Sequence, residues 1–299
     1  MIEDAIVTAI AARLAAALAP PRGPLVPLHV DEGKAGWIDA PRASRLARFD
    51  DVFVLEGAAL RFVRSLDDEP RRTAALERVT RTLAAEGALT AWRDERYAAA
   101  PEFGAPPWFL LERAAARYFG IHTYAVHVNG LVRRADGTAM WIARRSAAKA
   151  IDPGLLDNLV GGGIVAGQGI ASTLVKEAGE EAGIDASLAR KAVPEGTVQI
   201  LRAQRDGLQQ ETIFVHDLWL PETFVPTAID GEVAATTLVS LADAAGIAAN
   251  ASGPDAATAD AALVIADCLI RLGVIAPSSL GLATLSALVR AAPRVSLRS

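Results

Sequence analysis

A run of glycines followed directly by an amphipathic helical pattern is the feature that most constrains this chain. Residues 161–163 are all glycine and Gly167 follows, so the backbone there can approach a ligand without intervening side chains. Beyond this run, apolar residues recur every three or four positions, and Gly183 can end the resulting helix as a C-terminal cap. The apolar face of the predicted helix comprises Ala171, Leu174, Val175, Ala178 and Ala182.

Three glutamates fall together on another face of the predicted helix, namely Glu177, Glu180 and Glu181. The only base at helical spacing is Lys176, four residues before Glu180, so Glu177 and Glu181 are expected to lack a partner. Carboxylates that repel one another favour a bound cation, and hard oxygen ligands suit Mg²⁺ or Mn²⁺. The alternative is an acidic face that is simply solvated, although such a face does not require a glycine-rich entry.

This stretch resembles the box of the Nudix hydrolases, G-x5-E-x7-R-E-U-x-E-E-x-G-U, where U is aliphatic. Gln168 stands in place of the first Glu and Lys176 in place of the Arg. The resemblance implies a metal-dependent pyrophosphohydrolase whose metal ligands and base come from the three glutamates, with the Gly161 carbonyl as a further ligand. The aligned box positions are Gly162, Gln168, Lys176, Glu177, Ala178, Glu180, Glu181, Gly183 and Ile184.

Composition restricts the class of protein. The 299 residues, 52% hydrophobic and 22% charged, predict a globular chain of two domains. A net charge of −5 argues against nucleic acid as a partner, whereas a small diphosphate held through metal ions remains compatible. The single cysteine, Cys268, cannot form an intrachain disulfide, which favours a cytoplasmic location. The oligomeric state is left open, and a homodimer is compatible with the sequence.

The N-terminal residues are predicted to form an amphipathic helix that ends near Pro20. Glu3, Asp4 and Arg13 are charges that a secretory signal would not carry at these places. Because no uninterrupted apolar run reaches about 18 residues, we expect no membrane-spanning helix and no membrane partner.

The rest of the first half predicts a small α+β unit. A hairpin is expected around the turn at residues 31–33, a strand at 53–55 and a helix over 69–91. The segment WRDERY at residues 92–97 is predicted to be a helix that packs through Trp92.

The second half predicts strands at residues 121–132, 140–144, 197–203 and 213–220, and helices at 237–245 and 258–272, with weak helical periodicity from Leu280 onward. His122 and His127 are an odd number of residues apart, so on one strand they point to opposite faces and cannot share a metal. We expect structural roles for both.

Three basic residues and one acidic residue outside the helix are further site candidates. Arg144, Arg145 and Lys149 precede the glycine run and are predicted to contact substrate phosphate, with plain surface charge as the alternative. Glu232 follows a turn at Asp230-Gly231. The resemblance implies that such a glutamate outside the box supplies a further metal ligand or a base, and the alternative is an ordinary turn residue.

The resemblance extends over residues 25–275. The segments WRDERY, FGIHTYAVHVNG, PGLLDNLVGGGI and ALVIADCLIRLG are similar to a Nudix subgroup related to the part of fungal thiamin pyrophosphokinases that precedes the kinase. This implies hydrolysis of thiamin diphosphate, or of its oxidised or toxic analogues, to the monophosphate. The implied fold is an α/β/α sandwich with a mixed sheet at residues 120–275, preceded by a smaller α+β domain at 1–119 and followed by a helical tail at 276–299.

Two other readings of the function remain open at this point. The substrate could instead be a sugar nucleotide, a dinucleotide or a coenzyme A derivative, because the box recognises only the diphosphate and its metals. A binding module without turnover is the third reading, suggested by Gln168 and Lys176. We expect the N-terminal domain to wall the pocket for the organic group, with Trp37, Trp92 and Trp108 as candidate stacking residues.

Overall fold

The structure, a computed structural model, describes residues 1–19, 21 and 23–290. The helices are α1 (Asp4–Ala17), α2 (Ala40–Leu46), α3 (Glu69–Ala85), α4 (Ala116–Phe119), α5 (Ile170–Ala182), α6 (Ala186–Ala189), α7 (Leu241–Ala249), α8 (Ala259–Arg271) and α9 (Leu282–Arg290). The strands are β1 (Leu25–Val30), β2 (Gly33–Asp39), β3 (Phe53–Glu56), β4 (Ala59–Phe62), β5 (Arg96–Ala99), β6 (Phe109–Glu112), β7 (His122–Arg134), β8 (Gly137–Arg145), β9 (Leu156–Asn158), β10 (Val160–Gly163), β11 (Val193–Gln204), β12 (Gly207–Leu220) and β13 (Val233–Ser240).

The second half of the chain is built on a mixed sheet with the strand order β11-β12-β7-β8-β13. Strands β12 and β7 are parallel, and the other pairs of this path are antiparallel. Strand β10 pairs with β7 and β9 with β8, so the glycine run is itself a short strand of the sheet. Strand β7 therefore lies at the centre, and most of its residues are buried.

Helices cover both faces of this sheet. Helix α5 packs through Leu174 and Ala178 against Val126 and Val128 of β7. The opposite face is covered by α1, α7, α8 and α9, whose apolar side chains share one core with the inward residues of β7, β8, β11 and β12. Helix α8 is almost entirely buried because it packs between the sheet and the other helices. The α/β/α sandwich with a mixed sheet expected from the sequence is confirmed.

The N-terminal half forms a separate core around a sheet with the strand order β2-β1-β4-β3. It contacts the second half through β2, where Trp37 donates its backbone N–H to Gly120 O at 3.2 Å. Gly120 has φ +56°, and a side chain there would collide with the Trp37 carbonyl. Helix α1 packs instead with α7, α8 and α9, so the N-terminal helix belongs physically to the second core. The division at residue 119 stays a prediction.

Two predicted helices in the first half are shorter or absent. Helix α3 ends at Ala85 and not at residue 91, and WRDERY is not helical. Ala91 and Asp94 have φ of +60° and +56°, which interrupts any helix. Residues 96–97 of WRDERY belong to strand β5, which pairs with β6.

The helix predicted at residues 237–245 is also wrong over its first half. Residues up to Ser240 form strand β13, in which Thr237 pairs with Ile142 of β8. Thr and Val have a high preference for β-strands, and pairing with β8 favours a strand over the helix that the sequence pattern predicts. The helix begins only at Leu241, where the Ser240 hydroxyl accepts a hydrogen bond from the Asp243 N–H at 3.1 Å.

The remaining predicted elements are present. The hairpin around residues 31–33 is β1–β2, and the predicted strands of the second half are β7, β8, β11 and β12. Helix α9 corresponds to the weak periodicity from Leu280, and residues 291–299 of the predicted tail lie outside the described residues. Among the described helices, none combines the length and apolar character needed to cross a membrane.

Candidate active site

The glycine strand β10 lies against two side chains that need its lack of Cβ atoms. A Cβ atom on Gly162 would lie 2.5 Å from Glu177 Cδ. A Cβ atom on Gly163 would collide with the hydroxyl of Tyr97. Helix α5, which carries Glu177, ends at Gly183 with φ +64°, where the Gly183 N–H donates to Gly179 O at 3.1 Å. The predicted loop-then-helix unit therefore brings a carboxylate directly onto the glycine strand.

Glu181 is the most buried of the three helical glutamates, with 5% of the residue exposed. Its carboxylate accepts a hydrogen bond of 2.8 Å from the backbone N–H of Gly161. Lys149 Nζ lies 3.5 Å from the same carboxylate. Burial raises the pKa of Glu181 to about 8, although Lys149 and the Gly161 N–H act in the opposite direction. Lys149 and the Gly161 N–H therefore do not fully offset the cost of burying the charged carboxylate of Glu181.

Lys149 also forms an ion pair with Glu232, so one ammonium group joins two carboxylates from distant segments. Arg93 of the N-terminal half lies 3.4 Å from Glu232. Burial works against the charge of Glu232, but the hydrogen bond to Lys149 prevails and holds the pKa of Glu232 below its usual value. The structure thus places the predicted outside glutamate beside Glu181, with a cation between them.

The other two helical glutamates share Lys176. Its ammonium lies 2.7 Å from Glu180 and 3.1 Å from Glu177. The expectation that Lys176 would serve Glu180 alone is therefore corrected, because the lysine also reaches its sequence neighbour. Glu180 is the more exposed of the two partners, whereas burial raises the pKa of Glu177.

The residues at this site fit a hard divalent cation. In the part of the chain that the structure describes, no three carboxylate, imidazole or thiolate groups stand in a metal-binding arrangement. Lysine ammonium groups lie between the acids instead. The ammonium of Lys149 is itself a cation that two carboxylates share. Carboxylate and backbone carbonyl oxygens are the ligands that Mg²⁺ and Mn²⁺ prefer. The donor atoms and the cation position agree with such an ion, provided that Lys149 moves aside.

A cavity of about 640 Å³ lies between the two halves of the molecule at this site. The second half contributes the glycines of β10, Lys149 and Glu232 to its wall, and the N-terminal half contributes Arg93, Tyr97 and Arg113. Behind this wall, Glu177 lies against Gly162, and Glu181 contacts Gly161 and Lys149. The cavity therefore combines a glycine-lined backbone with basic side chains from both halves.

The predicted phosphate contacts are placed differently from one another. Arg145 lines the cavity and forms an ion pair of 2.7 Å with Asp157. Arg144 instead pairs with Asp255 at 2.6 Å and donates to the Gly154 carbonyl at 3.0 Å, away from the cavity wall. A substrate contact by Arg144 is therefore not supported, because β8 turns consecutive side chains to opposite faces. Lys149 lines the cavity but is held by the two carboxylates.

None of the three candidate tryptophans lines this cavity. Trp37 is buried with Leu201 and Leu208, and Trp108 packs against Gly33 in the N-terminal core. Trp92 lies under the Arg81 guanidinium at 4.2 Å. The N-terminal half does wall the cavity, but through the basic and phenolic side chains of Arg93, Arg113 and Tyr97.

Residues that were not predicted to be site residues complete the cavity. His127 and His122 do lie on opposite faces of β7, as expected, but His127 faces the cavity. Thr123 and Ala125 line it from the same face of β7, and Glu211 lines it from β12. The alternation of polar residues with buried apolar ones along these strands was the available signal. It is ambiguous, because a polar inner face can meet solvent or a ligand equally well.

A glycine strand that receives a glutamate-bearing helix on a mixed α/β/α sandwich defines a Nudix-type pyrophosphohydrolase. The NUDIX domain family matches residues 123–261, and the domain of unknown function DUF4743 matches residues 11–123. The chain belongs to the Nudix hydrolase family and carries a DUF4743 domain before the Nudix domain. Nudix hydrolases generally use divalent metal ions.

Curated relatives agree along most of the chain. Nudix hydrolase 24, chloroplastic, of Arabidopsis thaliana is 38% identical over 262 residues, which cover 87% of this chain and 71% of that protein. Nudix hydrolase 20, chloroplastic, of the same plant is 37% identical, with the same two coverages. The uncharacterized protein YJR142W of Saccharomyces cerevisiae is 31% identical over 248 residues, or 77% of this chain and 71% of that one. An Ap4A hydrolase of C. elegans has a TM-score of 0.39, 12% identity and coverages of 51% and 99%, a likeness too low to support any argument.

Proposed function

We propose that the protein hydrolyses the diphosphate linkage of thiamin diphosphate, or of its oxidised or toxic analogues, and releases the monophosphate with Mg²⁺ or Mn²⁺ as cofactor. The observation that carries the reaction type is the meeting of the glycine strand, Lys149 and Glu232 at one cavity wall, with Glu181 directly behind them in contact with Gly161 and Lys149. The similarity of several segments to the Nudix part of fungal thiamin pyrophosphokinases supports the choice of substrate.

The residues take separate roles in this proposal. Glu177, Glu180 and Glu181, with the Gly161 carbonyl and Glu232, would hold the metal, and one glutamate accepts the proton of the attacking water. A bound divalent ion supplies neutralisation of phosphate charge and polarisation of the phosphorus centre.

Basic side chains at the cavity wall would receive the remaining phosphate charge. Arg93 and Arg113 reach the wall from the DUF4743 domain, and Arg145 reaches it from β8. Guanidinium groups suit phosphate because their planar N–H groups can bind two oxygens at once. Lys149 lies at the same wall, between Glu181 and Glu232. We propose that it turns towards phosphate when a metal ion takes over those two carboxylates.

The test is a panel of diphosphates incubated with the protein and either Mg²⁺ or Mn²⁺, with products identified by mass. The panel contains thiamin diphosphate, oxidised thiamin diphosphate, a sugar nucleotide, a dinucleotide and a coenzyme A derivative. We expect the thiamin compounds to have the highest kcat/KM and to yield the monophosphate, and EDTA to abolish turnover. A higher kcat/KM for any of the other three would assign the enzyme to that substrate class, and turnover that survives EDTA would refute the metal dependence.

A further inference from the structure

A buried chain of hydrogen bonds runs from helix α8 to the cavity. Arg271 pairs with Asp217 at 2.6 Å, and Asp217 accepts from the Asn129 amide at 2.9 Å. The Asn129 carbonyl oxygen accepts from the Asn158 amide at 3.2 Å, and the Asn158 carbonyl oxygen meets His127 Nδ1 at 2.8 Å. His127, Asn129, Asn158 and Asp217 are each at most 7% exposed. Burying such a network costs free energy unless each of its polar groups has a hydrogen-bond partner.

The Asp217 carboxylate at one end fixes which group donates and which accepts in each hydrogen bond of this series. Asp217 can only accept, so Asn129 must present its NH₂ group to Asp217 and its oxygen to Asn158. Asn158 is oriented in the same way, and its oxygen therefore requires a donor at His127 Nδ1. Within the described residues Nε2 has no hydrogen-bond partner, and in the uncharged tautomer that this bond selects it is an acceptor. The network therefore presents one ring nitrogen to the cavity.

More acceptor groups line the cavity beyond His127. Thr123 is four residues before His127 on the same face of β7, and Glu211 lies beside it on β12, with Oγ1 and Oε1 3.1 Å apart. The Gln209 amide nitrogen is shared between Glu211 at 2.9 Å and Asp260 at 3.2 Å. These five residues, Thr123, His127, Gln209, Glu211 and Asp260, are called the acceptor floor below.

The acceptor floor has more acceptor capacity than the protein satisfies. The buried Oδ1 atom of Asp260 is in an ion pair with Arg202 at 3.3 Å but forms no hydrogen bond. Glu211 has no salt bridge with any described residue, and the only described donors to its carboxylate are Gln209 and Thr123. Burial, together with the charge of Asp260, raises the pKa of Glu211. A donor supplied from outside the protein would complete these groups.

The acceptor floor runs along β7 beside the glycine strand and reaches two residues beyond the residue that pairs with Gly163. His127 pairs in register with Gly161, and Thr123 lies four residues further along β7, which is a distance of about 13 Å. A substrate with its diphosphate at the glycine strand would therefore lay its organic part over the acceptor floor.

We propose that the acceptor floor is the subsite for the organic group of the substrate and that it selects a nitrogen heterocycle bearing N–H hydrogen-bond donors. The proposal rests on the diphosphate hydrolase function proposed above and deepens it. Its physical basis is that an unsatisfied acceptor penalises any ligand without donors, whereas a ligand with amino or ring N–H groups satisfies it. His127 and Glu211 are the residues that carry this selection.

Binding measured by calorimetry tests the subsite without turnover. The full chain with Mg²⁺ is titrated with thiamin, which has an aminopyrimidine, with its hydroxyethylthiazole fragment, which has no N–H, and with inorganic pyrophosphate. Glu211→Gln keeps the shape of the side chain and removes the charge, and Thr123→Val replaces a hydroxyl group with a methyl group of similar size. Glu222→Gln is an exposed control on the loop after β12. We expect Glu211→Gln to weaken thiamin binding by about tenfold or more, Thr123→Val to weaken it less, and Glu222→Gln to have no effect.

Pyrophosphate affinity decides between selective recognition and general damage. It should be unchanged in Glu211→Gln, and the thiazole fragment should bind wild type and variant equally. Equal weakening of pyrophosphate and thiamin, or unchanged thiamin binding in both Glu211→Gln and Thr123→Val, would overturn the proposal. If Glu211→Gln fails to fold, Thr123→Val alone decides. Thiamin binding that depends on Glu211, in a protein without diphosphatase activity, would support the subsite while refuting the proposed reaction.

Discussion

Two lysines of this molecule each contact two glutamates, and they differ in how the contact is made. Lys176 meets Glu177 and Glu180 within one turn of α5, and its side chain is 43% exposed. Lys149 comes from the loop after β8 and joins Glu181 of α5 to Glu232 before β13, with a side chain that is 11% exposed. The first contact is a feature of one helix surface, whereas the second exists only when three segments have folded together.

The difference has an energetic consequence. An exposed ion pair contributes at most about 1 kcal/mol because water and salt screen it. Removing one partner of a buried pair leaves an uncompensated charge and costs about 3 kcal/mol or more. Both lysines contact carboxylates of the candidate metal site, but only the buried Lys149 contacts are expected to contribute substantially to stability. Five predictions follow, from the largest expected effect to the smallest.

Substitution of the buried glutamate should have the largest effect on catalysis. Glu181→Gln keeps the shape of the side chain but removes ligand charge, and we expect kcat to fall by about a hundredfold or more. The kcat of Glu177→Gln should fall by a similar factor, because Glu177 lies against Gly162. The kcat of Glu180→Gln should fall less, because Glu180 is the more exposed partner of Lys176. Steady-state kinetics with saturating Mg²⁺ measures all three, and wild-type activity in Glu181→Gln would show that Glu181 is neither a metal ligand nor the base.

Substitution of the two lysines should separate the two clusters by stability. Lys149→Met leaves Glu181 and Glu232 without their shared cation, and we expect the metal-free free energy of unfolding to fall by about 2–3 kcal/mol, reduced somewhat because Glu181 can take up a proton. Lys176→Met is the matched control, with an expected loss of at most about 1 kcal/mol. Urea denaturation in EDTA measures both.

Added Mg²⁺ then sharpens the same comparison. A divalent ion that binds between Glu181 and Glu232 should restore Lys149→Met more than it stabilises the wild type, because no lysine competes for the position. Lys176→Met should gain less from Mg²⁺ than Lys149→Met does, because Lys176 is largely exposed and competes less strongly for its two carboxylates. An equal response of all three proteins would contradict the placement of the metal at the Lys149 cluster.

A methyl group on the glycine strand should disturb the site without unfolding it. In Gly162→Ala the new Cβ atom would lie 2.5 Å from Glu177 Cδ, so the carboxylate must move. We expect kcat to fall by about tenfold, since small displacements of a positioned group are costly in catalysis. Gly169→Ala is the control, because the nearest side-chain atom would be 4.0 Å away and φ is −110°. Kinetics and thermal unfolding distinguish a displaced carboxylate from lost stability.

The same contrast explains how much could be predicted from the sequence. The loop, α5 and the Lys176–Glu180 pair follow from spacing along one chain segment, and the central strands follow from alternation. The contacts of Lys149 with Glu181 and Glu232, and the place of His127 and Glu211 at the cavity, could not be predicted in this way, because they arise from neighbours on other segments. Arg144 and Arg145 show this limit most plainly. The sequence favoured the two adjacent arginines equally as phosphate contacts, but side chains alternate between the two faces along β8, and only Arg145 lines the cavity.

The smallest expected effect concerns Tyr97, which packs between the glycine strand and Arg113. Burial raises the pKa of Tyr97 to about 12 from the usual value of 10. A folded-state pKa above the unfolded value means that the contribution to stability is complete below pH 10 and is lost as pH rises from 10 towards 12. At pH 11 the wild type should therefore lose about 1 kcal/mol that Tyr97→Phe retains, relative to pH 9. Urea midpoints of both proteins at the two pH values measure this, and the other tyrosines cancel in the comparison. Identical pH dependence in the two proteins would show that the Tyr97 hydroxyl reaches water, and hence that the cavity beside the glycine strand is wetter than its lining indicates.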